Sequence, residues 1–190
     1  MQNVLKKAAK LDIRMILPLH GPVWRENLAW FIGKYDLWSR YQAEDAEAVI
    51  FAGSVYGHTL KAAQRLGEAL KARGISAKVY DAAREDLSFL VAEAFRAKVL
   101  VFASATYNNG IFTPMENLLL DLKAHAWQRR TVALIENGSW AAQSGKLMRA
   151  ELEQMKDITI VGETVSLKSA ATAAQEEQLA ALADAIAKTL

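Results

Sequence analysis

The chain has 190 residues, of which 23 are basic and 21 acidic, so its formal net charge at pH 7 is +2. Charges that balance and intersperse in this way give no reason to expect binding to nucleic acid or to an anionic membrane. The chain has no cysteine, which excludes disulfides, thiolate metal ligands and cysteine nucleophiles. No apolar run approaches the roughly 18 residues of a membrane-spanning helix. We therefore expect a soluble, cytoplasmic protein with one domain and an additional segment.

Residues 1–45 are expected to form an incomplete α+β segment. A short helix at 3–9 precedes a run at 13–19 that is predicted to be a buried strand, and a turn follows at 20–22. Six large apolar side chains then recur at steps of three and four, which places them on one helical face: Trp24, Leu28, Phe31, Tyr35, Trp38 and Tyr41. A segment this short seldom builds its own core, so it is interpreted as the end of a larger domain, with a linker at 43–46.

From residue 46 onward, apolar runs alternate with segments of helical periodicity. Strands are predicted at 48–52, 76–80, 98–103, 131–135 and 158–161, and helices at 58–73, 86–95, 114–124, 143–155 and 173–189. Strands that alternate with helices favour a parallel sheet covered on both faces. This pattern predicts a flavodoxin-like, doubly wound α/β fold with a five-stranded parallel sheet of order 2-1-3-4-5.

The stretch between the first strand and the first helix of this region has the composition of a phosphate-binding loop. It consists of Ser54, Val55, Tyr56, Gly57, His58 and Thr59. Hydroxyls and backbone N–H groups at a helix N-terminus can bind an anion without lysine or arginine. The lysine-bearing loop of nucleotide hydrolases and the GxGxxG of dinucleotide binders are both absent, so a monophosphate is the expected ligand. The alternative is an ordinary strand-to-helix turn capped by Thr59.

Two further segments should face the same ligand, because doubly wound sheets bind ligands beyond the strand ends where the strand order reverses. The candidates after the third strand are Ser104, Ala105, Thr106, Tyr107, Asn108 and Gly110, and those after the fourth are Asn137, Gly138, Ser139 and Trp140. Aromatic rings there can lie against a flat heterocycle, while backbone amides bond its nitrogens and carbonyls. Tyr56, Tyr107 and Trp140 could instead be core aromatics.

These segments resemble known flavoprotein motifs. The pattern Ser-x-Tyr-Gly-x-Thr at 54–59 resembles the FMN phosphate loop of flavodoxins. The run 104–108 resembles the Ser-Pro-Thr-Tyr-Asn of flavodiiron proteins, with Ala105 in place of the common proline. Residues 17–24 resemble the segment of that family that donates its final iron-binding histidine, here His20. Residues 1–45 are thus similar to the end of a metallo-β-lactamase-like domain with its linker, and residues 46–190 to the flavodoxin-like domain.

The resemblance implies an FMN-binding electron-transfer domain without a catalytic acid, base or nucleophile of its own. In the full-length protein, FMN would supply electrons to a diiron centre that reduces dioxygen or nitric oxide. The implied electron donor is a rubredoxin or a flavin/NADH reductase, and the implied assembly is a head-to-tail homo-oligomer. No metal site is expected in this chain, because His58 and His125 lie outside the lactamase-like part.

Two alternatives remain at the level of sequence. One is a free-standing flavodoxin-like quinone or flavin reductase, which would need a nicotinamide site. The other is a flavin-free signalling module of the same fold, which would need acidic residues at the ends of the first and third strands. Those positions hold Gly53-Ser54 and Ser104-Ala105, so the signalling alternative is disfavoured.

Overall fold

A parallel sheet forms the centre of residues 45–190 in the computed structural model, which describes all 190 residues. Its strands are β1 (Asp45–Gly53), β2 (Ala77–Asp81), β3 (Ala97–Tyr107), β4 (Gly110–Ile111), β5 (Arg130–Asn137), β6 (Ile158–Ile160) and β7 (Val165–Leu167). The parallel order is β2-β1-β3-β5-β6, with β7 also on β5 and the short β4 antiparallel to β3. The predicted fold class and strand order are therefore confirmed.

Seven helices surround or precede this sheet: α1 (Gln2–Ala8), α2 (Leu28–Ser39), α3 (His58–Lys71), α4 (Leu87–Arg96), α5 (Thr113–Ala124), α6 (Ser144–Glu153) and α7 (Ala173–Ala187). α3 and α7 cover one face of the sheet, and α4, α5 and α6 cover the other. Asp86 caps α4 by accepting a hydrogen bond from the Ser88 N–H at 2.9 Å. α5 begins at Thr113, directly after Phe112. None of these helices combines the length and apolar character needed to cross a bilayer.

The centre of the sheet is β3, whose run 99–103 is fully buried. A strand with helices on both faces buries both sets of side chains, which explains its continuous apolar sequence. On the α4–α6 side, the Phe102 ring lies 5.7 Å from that of Phe51 and 6.2 Å, edge-on, from that of Trp127. The Trp127 indole N–H donates to the Ala94 carbonyl at 2.9 Å, so this buried polar atom has a partner.

The fifth strand of the sheet is divided, which the sequence did not predict. β6 pairs with the first half of β5 and β7 with the second half, and residues 161–164 separate them. Gly162 in this interruption has a φ of 67°, and a Cβ there would lie 2.6 Å from Leu182 Cδ1. The backbone conformation at this position therefore favours glycine, and any larger residue would also require the Leu182 side chain to shift.

Three strands extend beyond the predicted runs. β3 continues to Tyr107 instead of 103, and β5 continues to Asn137 instead of 135. Asp45, expected in a linker, belongs to β1 and pairs with Ala97. The hydrophobic pattern ends before the strands do, because residues at the ends of a strand contact loops and solvent as well as the apolar helices.

The prediction of a buried strand at 13–19 is wrong. That region forms only an isolated two-residue bridge between Ile16 and Trp24, and Leu19 is 97% exposed. The aromatic stripe is largely present, although Trp24 precedes α2 and stacks on Phe31 with ring centroids 4.4 Å apart. No residue in 1–46 is buried. Apolar sequence there produces no buried strand because no neighbouring strand covers it.

Arg130 fixes the end of this segment to the sheet domain. Its guanidinium donates to the carbonyl oxygens of Tyr41 at 2.6 Å, Phe95 at 2.5 Å and Ala97 at 2.9 Å. The residue is only 4% exposed. Burial lowers the pKa of Arg130 to about 10, which leaves the guanidinium charged at neutral pH. The Tyr41 ring adds a contact with Phe95 at 6.2 Å between centroids.

Candidate functional site

The segments that follow β1, β3 and β5 meet at the carboxyl edge of the sheet, where the strand order reverses. They form a cleft of about 120 Å³ lined by Ser54, Val55, Tyr56, His58, Thr59, Ala105, Thr106, Asn137, Gly138, Ser139 and Ser169. All of these except Ser169 are predicted site residues. The predicted residues that do not line this cleft are Gly57, Ser104, Tyr107, Asn108, Gly110 and Trp140. The topology thus brings the three predicted segments together.

The loop at 54–57 is shaped by a glycine and a serine. Gly57 has a φ of 86°, in the left-handed region that favours glycine. Ser54 Oγ accepts a hydrogen bond from the Gly57 N–H at 3.0 Å, which closes the loop before α3. Gly57 is the N-cap residue of α3, and Thr59 is the second residue of the helix, so the reading of Thr59 as its cap is wrong.

Several hydrogen-bond donors point to an anion at this loop. The backbone N–H groups of Tyr56, His58 and Thr59 have no acceptor within the chain. The positive end of the α3 dipole lies at the same place, and no lysine or arginine lines the cleft. Thr59 is 2% exposed, and its hydroxyl accepts a hydrogen bond from Asn137 but donates none within the chain. These groups fit a phosphate monoester, because a phosphate accepts hydrogen bonds from all of them.

The segment after the sheet portion of β3 is a tight hairpin. Asn108 and Asn109 have φ values of 48° and 58°, and Tyr107 pairs with Gly110 on β4. Positive φ at both central residues is the signature of a two-residue type I′ turn, which asparagine tolerates well. The Tyr107 ring packs edge-on to Phe112 at 6.0 Å and remains 47% exposed. The hairpin therefore presents a partly supported aromatic ring at the rim of the site.

The hydroxyls of Ser104 and Thr106 hold the site together from below. Ser104 is fully buried, and its Oγ accepts from the Phe112 N–H at 3.3 Å. Thr106 Oγ1 accepts from the N–H groups of Gln143 at 3.0 Å and Ser144 at 3.2 Å, at the start of α6. Both hydroxyls are engaged within the protein, so their direct contribution is to fix the position of the loops.

The segment after β5 joins a close contact to an exposed aromatic ring. A Cβ on Gly138 would lie 2.8 Å from the Ala142 Cα, so the backbones approach too closely for any other residue. Trp140 is 99% exposed and Tyr56 is 89% exposed, which excludes both from the core. The alternative reading of these two as core aromatics is therefore wrong, and both rings are accessible to a ligand.

The two remaining histidines lie outside the cleft. His125 follows α5, and its Nδ1 is 2.8 Å from the Asp121 carbonyl oxygen. His20 is exposed on the turn at 20–22. No group of three or more histidine, cysteine, aspartate or glutamate side chains comes together in a way that could hold a metal ion.

The sequence of the chain is similar to proteins of a known family. The chain matches the family model described as Flavodoxin over residues 50–181. It is 25% identical over 132 residues to the anaerobic nitric oxide reductase flavorubredoxin of Aeromonas hydrophila, a match that covers 68% of this chain and 26% of that protein.

Two solved structures have the same fold as this chain. The rubredoxin oxygen:oxidoreductase of Desulfovibrio gigas superimposes with a TM-score of 0.89 at 24% identity, over 99% of this chain and 47% of that one. The flavodiiron protein of Giardia intestinalis gives a TM-score of 0.84 at 21% identity, over 99% and 48% of the two chains. The present chain therefore spans about half the length of these structures and about a quarter of the curated relative.

The resemblance to flavodiiron proteins is confirmed by these matches, and the region they share with this chain includes the whole flavodoxin-like part. FMN is the cofactor of that fold family, and the donors found at 54–59 fit its phosphate. The chain belongs to the flavodoxin family and carries an FMN electron-transfer domain of the kind found in flavodiiron proteins.

Proposed function

We propose that the cleft at the ends of β1, β3 and β5 holds FMN by its phosphate, with the flavin ring at the rim near Tyr107 and Trp140. The observation that carries the proposal is the set of unpaired N–H donors at the start of α3, inside a cleft formed by all three strand ends. Helix N-termini bind phosphate through such donors and the helix dipole, without a cationic side chain.

Different residues would hold the two ends of the cofactor. The phosphate would be bound by the loop Ser54, Val55, Tyr56, Gly57, His58 and Thr59. The ring would be bordered by Tyr107 and Trp140 and by the main chain of 105–110 and 137–139. Bound FMN supplies one- or two-electron transfer, and the protein sets its potentials through hydrogen bonds and by excluding water from one ring face.

The activity of a longer protein is a proposal drawn from the relatives. Their names specify nitric oxide reduction for one and a rubredoxin and oxygen reaction for another. We propose that the full-length protein passes electrons from FMN to a diiron centre that reduces dioxygen or nitric oxide. A rubredoxin or a flavin/NADH reductase would be the donor, and the cytoplasm the compartment. The diiron ligands would come largely from residues outside this chain.

The cofactor proposal is tested by titrating the apoprotein with FMN and with riboflavin. FMN should bind at least tenfold more tightly, because hydrogen bonds to a charged group are worth about 1.5–3 kcal/mol each and riboflavin has no phosphate to form them. Equal affinity for the two flavins would show that the loop at 54–59 does not hold a phosphate. Rapid NADH oxidation by the FMN-loaded chain alone would instead favour the free-standing reductase.

We also propose a homo-oligomer, in which residues 1–44 take part. The segment contains an open apolar groove of about 310 Å³, lined by Val4, Leu5, Ala8, Ile13, Ile16, Pro18, Phe31, Ile32 and Tyr35. Exposed apolar surface of this kind marks interaction sites. Sedimentation should show association for the full chain and a monomer for a shortened chain that begins at Ala43, which preserves β1. If both sediment as monomers, the segment does not mediate association.

A further inference from the structure

Asn137 occupies a position that joins three parts of the cleft. It is the last residue of β5 and is 8% exposed. Its Nδ2 donates to the Ser169 carbonyl oxygen at 2.9 Å and to Thr59 Oγ1 at 3.3 Å, and its Oδ1 accepts from the Ser169 N–H at 2.9 Å. One buried amide therefore connects the phosphate loop helix, the end of β5 and the segment after β7.

The orientation of this amide is determined by its partners. The Ser169 N–H can only donate, so the atom that faces it must be the amide oxygen. The amide nitrogen then faces Thr59, and the Thr59 oxygen receives a hydrogen from it. The Thr59 hydroxyl consequently has its own hydrogen free for another acceptor, and no acceptor for it exists within the chain.

We propose that Asn137 is a positioning residue that makes the Thr59 hydroxyl a hydrogen-bond donor toward the cofactor phosphate, and so favours FMN over flavins that lack a phosphate. The inference rests on the proposed function of this cleft. A phosphate dianion accepts hydrogen bonds and donates none, so a threonine oxygen that offered lone pairs instead of hydrogen would repel it. Because no lysine or arginine lines the cleft, each donor contributes a large share of the affinity.

Asn137 also stabilises the backbone conformation of Ser169. Its φ of 78° lies in the left-handed region, which a serine adopts at a cost unless its surroundings stabilise it. The two hydrogen bonds between the Asn137 amide and the Ser169 backbone hold this conformation, and Ser169 lines the cleft. The segment after β7 thus becomes a wall of the phosphate site through the same side chain that orients Thr59.

The test compares affinities for FMN and riboflavin in Asn137→Asp. This change keeps the shape of the side chain but replaces the donor with a carboxylate, which accepts the Thr59 hydrogen and adds a negative charge beside the phosphate. The FMN-to-riboflavin affinity ratio should fall at least tenfold, while riboflavin affinity changes by no more than about threefold. Asn117→Asp is the matched control, since it adds the same charge at an exposed position on α5 outside the cleft and should leave the ratio unchanged.

A purely structural role for Asn137 would weaken binding of both flavins equally. Direct charge repulsion would lower the ratio by the same factor when Asn137→Asp is made in a Thr59→Val background, whereas an effect through the Thr59 hydroxyl would be lost there. Either of the first two results would overturn the inference. An unchanged ratio in Asn137→Asp would overturn it as well, whereas a wild-type ratio near one would refute the phosphate site itself. Thr59→Val provides a second measurement if Asn137→Asp does not fold, because it retains both bonds between Asn137 and Ser169. A selective loss of FMN affinity in Thr59→Val would support the donor role of the hydroxyl, and an unchanged ratio would overturn it.

Discussion

Residues 1–44 and residues 45–190 use aromatic side chains in different ways. In the sheet domain, Phe51, Phe102 and Trp127 are enclosed between the sheet and its helices and are at most 1% exposed. In the first segment, consecutive rings of an aromatic row contact one another, and none of them is buried: Trp24, Phe31, Tyr35 and Trp38. The difference shows that aromatic periodicity predicts which side chains meet, whereas burial requires a second layer to cover them.

The largest expected effect tests this difference directly. Phe102→Ala should lower the free energy of unfolding by about 3–5 kcal/mol, because it leaves a cavity among fully buried neighbours. Phe31→Ala removes the same atoms from the partly exposed aromatic row of the first segment. It should lower the free energy of unfolding by about 1 kcal/mol or less. Urea unfolding followed by circular dichroism measures both. Similar losses would mean that the segment and the domain unfold as one packed unit.

Arg130 connects the two regions, so its removal should separate them. Arg130→Met leaves the carbonyl oxygens of Tyr41, Phe95 and Ala97 without their shared donor, at an expected cost of about 2–3 kcal/mol. Limited proteolysis within residues 1–41 should accelerate at the same time. Arg84→Met is the control, because that side chain is 85% exposed, pairs with Asp81 within the sheet domain and should change neither measurement. Unchanged proteolysis in Arg130→Met would show that other contacts hold the segment.

Replacing a glycine with alanine should have different effects in the two regions. Gly57→Ala should weaken FMN binding by about 1–2 kcal/mol, because alanine is strained at a φ of 86°. A clash is not the cause, since a Cβ at Gly57 would meet no atom within 4 Å. Gly33→Ala, within α2, should stabilise that helix by about 0.5–1 kcal/mol and leave FMN affinity unchanged. Flavin titration measures the first effect and thermal unfolding the second. Unchanged FMN affinity in Gly57→Ala would show that binding does not depend on the positive φ of this residue.

The stability of the sheet domain should also depend on pH through Glu93. Glu93 accepts from Arg96 Nε at 2.8 Å and from the Tyr80 hydroxyl at 2.9 Å, and its pKa is lowered mainly by the bond to Arg96. The stabilisation is complete above the unfolded-state pKa and is lost as pH falls through the lower folded-state pKa. Glu93→Gln should reduce this acid dependence and cost about 1 kcal/mol at neutral pH. If Glu93→Gln and the unmodified protein lose stability identically as the pH falls, other carboxylates cause the acid dependence.

The fold was predictable because β/α alternation depends on local sequence, and the strand order then placed 54–59, 104–110 and 137–140 at one edge. The interruption of the fifth strand was not predictable, since Val165-Ser166-Leu167 is too short to signal a strand without β5 beside it. The buried-strand prediction at 13–19 failed because hydrophobic sequence does not reveal whether a partner strand is present.

Within the site, sequence identified residue types better than their roles. Asn137 was expected near the flavin ring, but its amide is engaged by Thr59 and Ser169. Ser169 was missed because nothing in its short polar segment marks it, although its position just after the last strand places it at the same edge. Ser104 likewise supports the loop through a buried hydroxyl. These roles depend on which loops meet, and contact between distant loops is set by tertiary structure.

The smallest expected effect concerns the rim of the site. If the flavin ring lies near Trp140, Trp140→Leu should weaken FMN binding by about 0.5–1.5 kcal/mol, the usual contribution of aromatic contact beyond burial. Flavin quenches nearby indole emission, so FMN should quench Trp140 strongly. Trp30 in the first segment is also exposed, at 56%, and belongs to a region that contributes nothing to the cleft. Trp30→Leu should therefore leave FMN affinity unchanged, and the FMN-dependent loss of fluorescence should decrease only in Trp140→Leu. Equal quenching in both variants, with unchanged affinity, would place the ring away from Trp140.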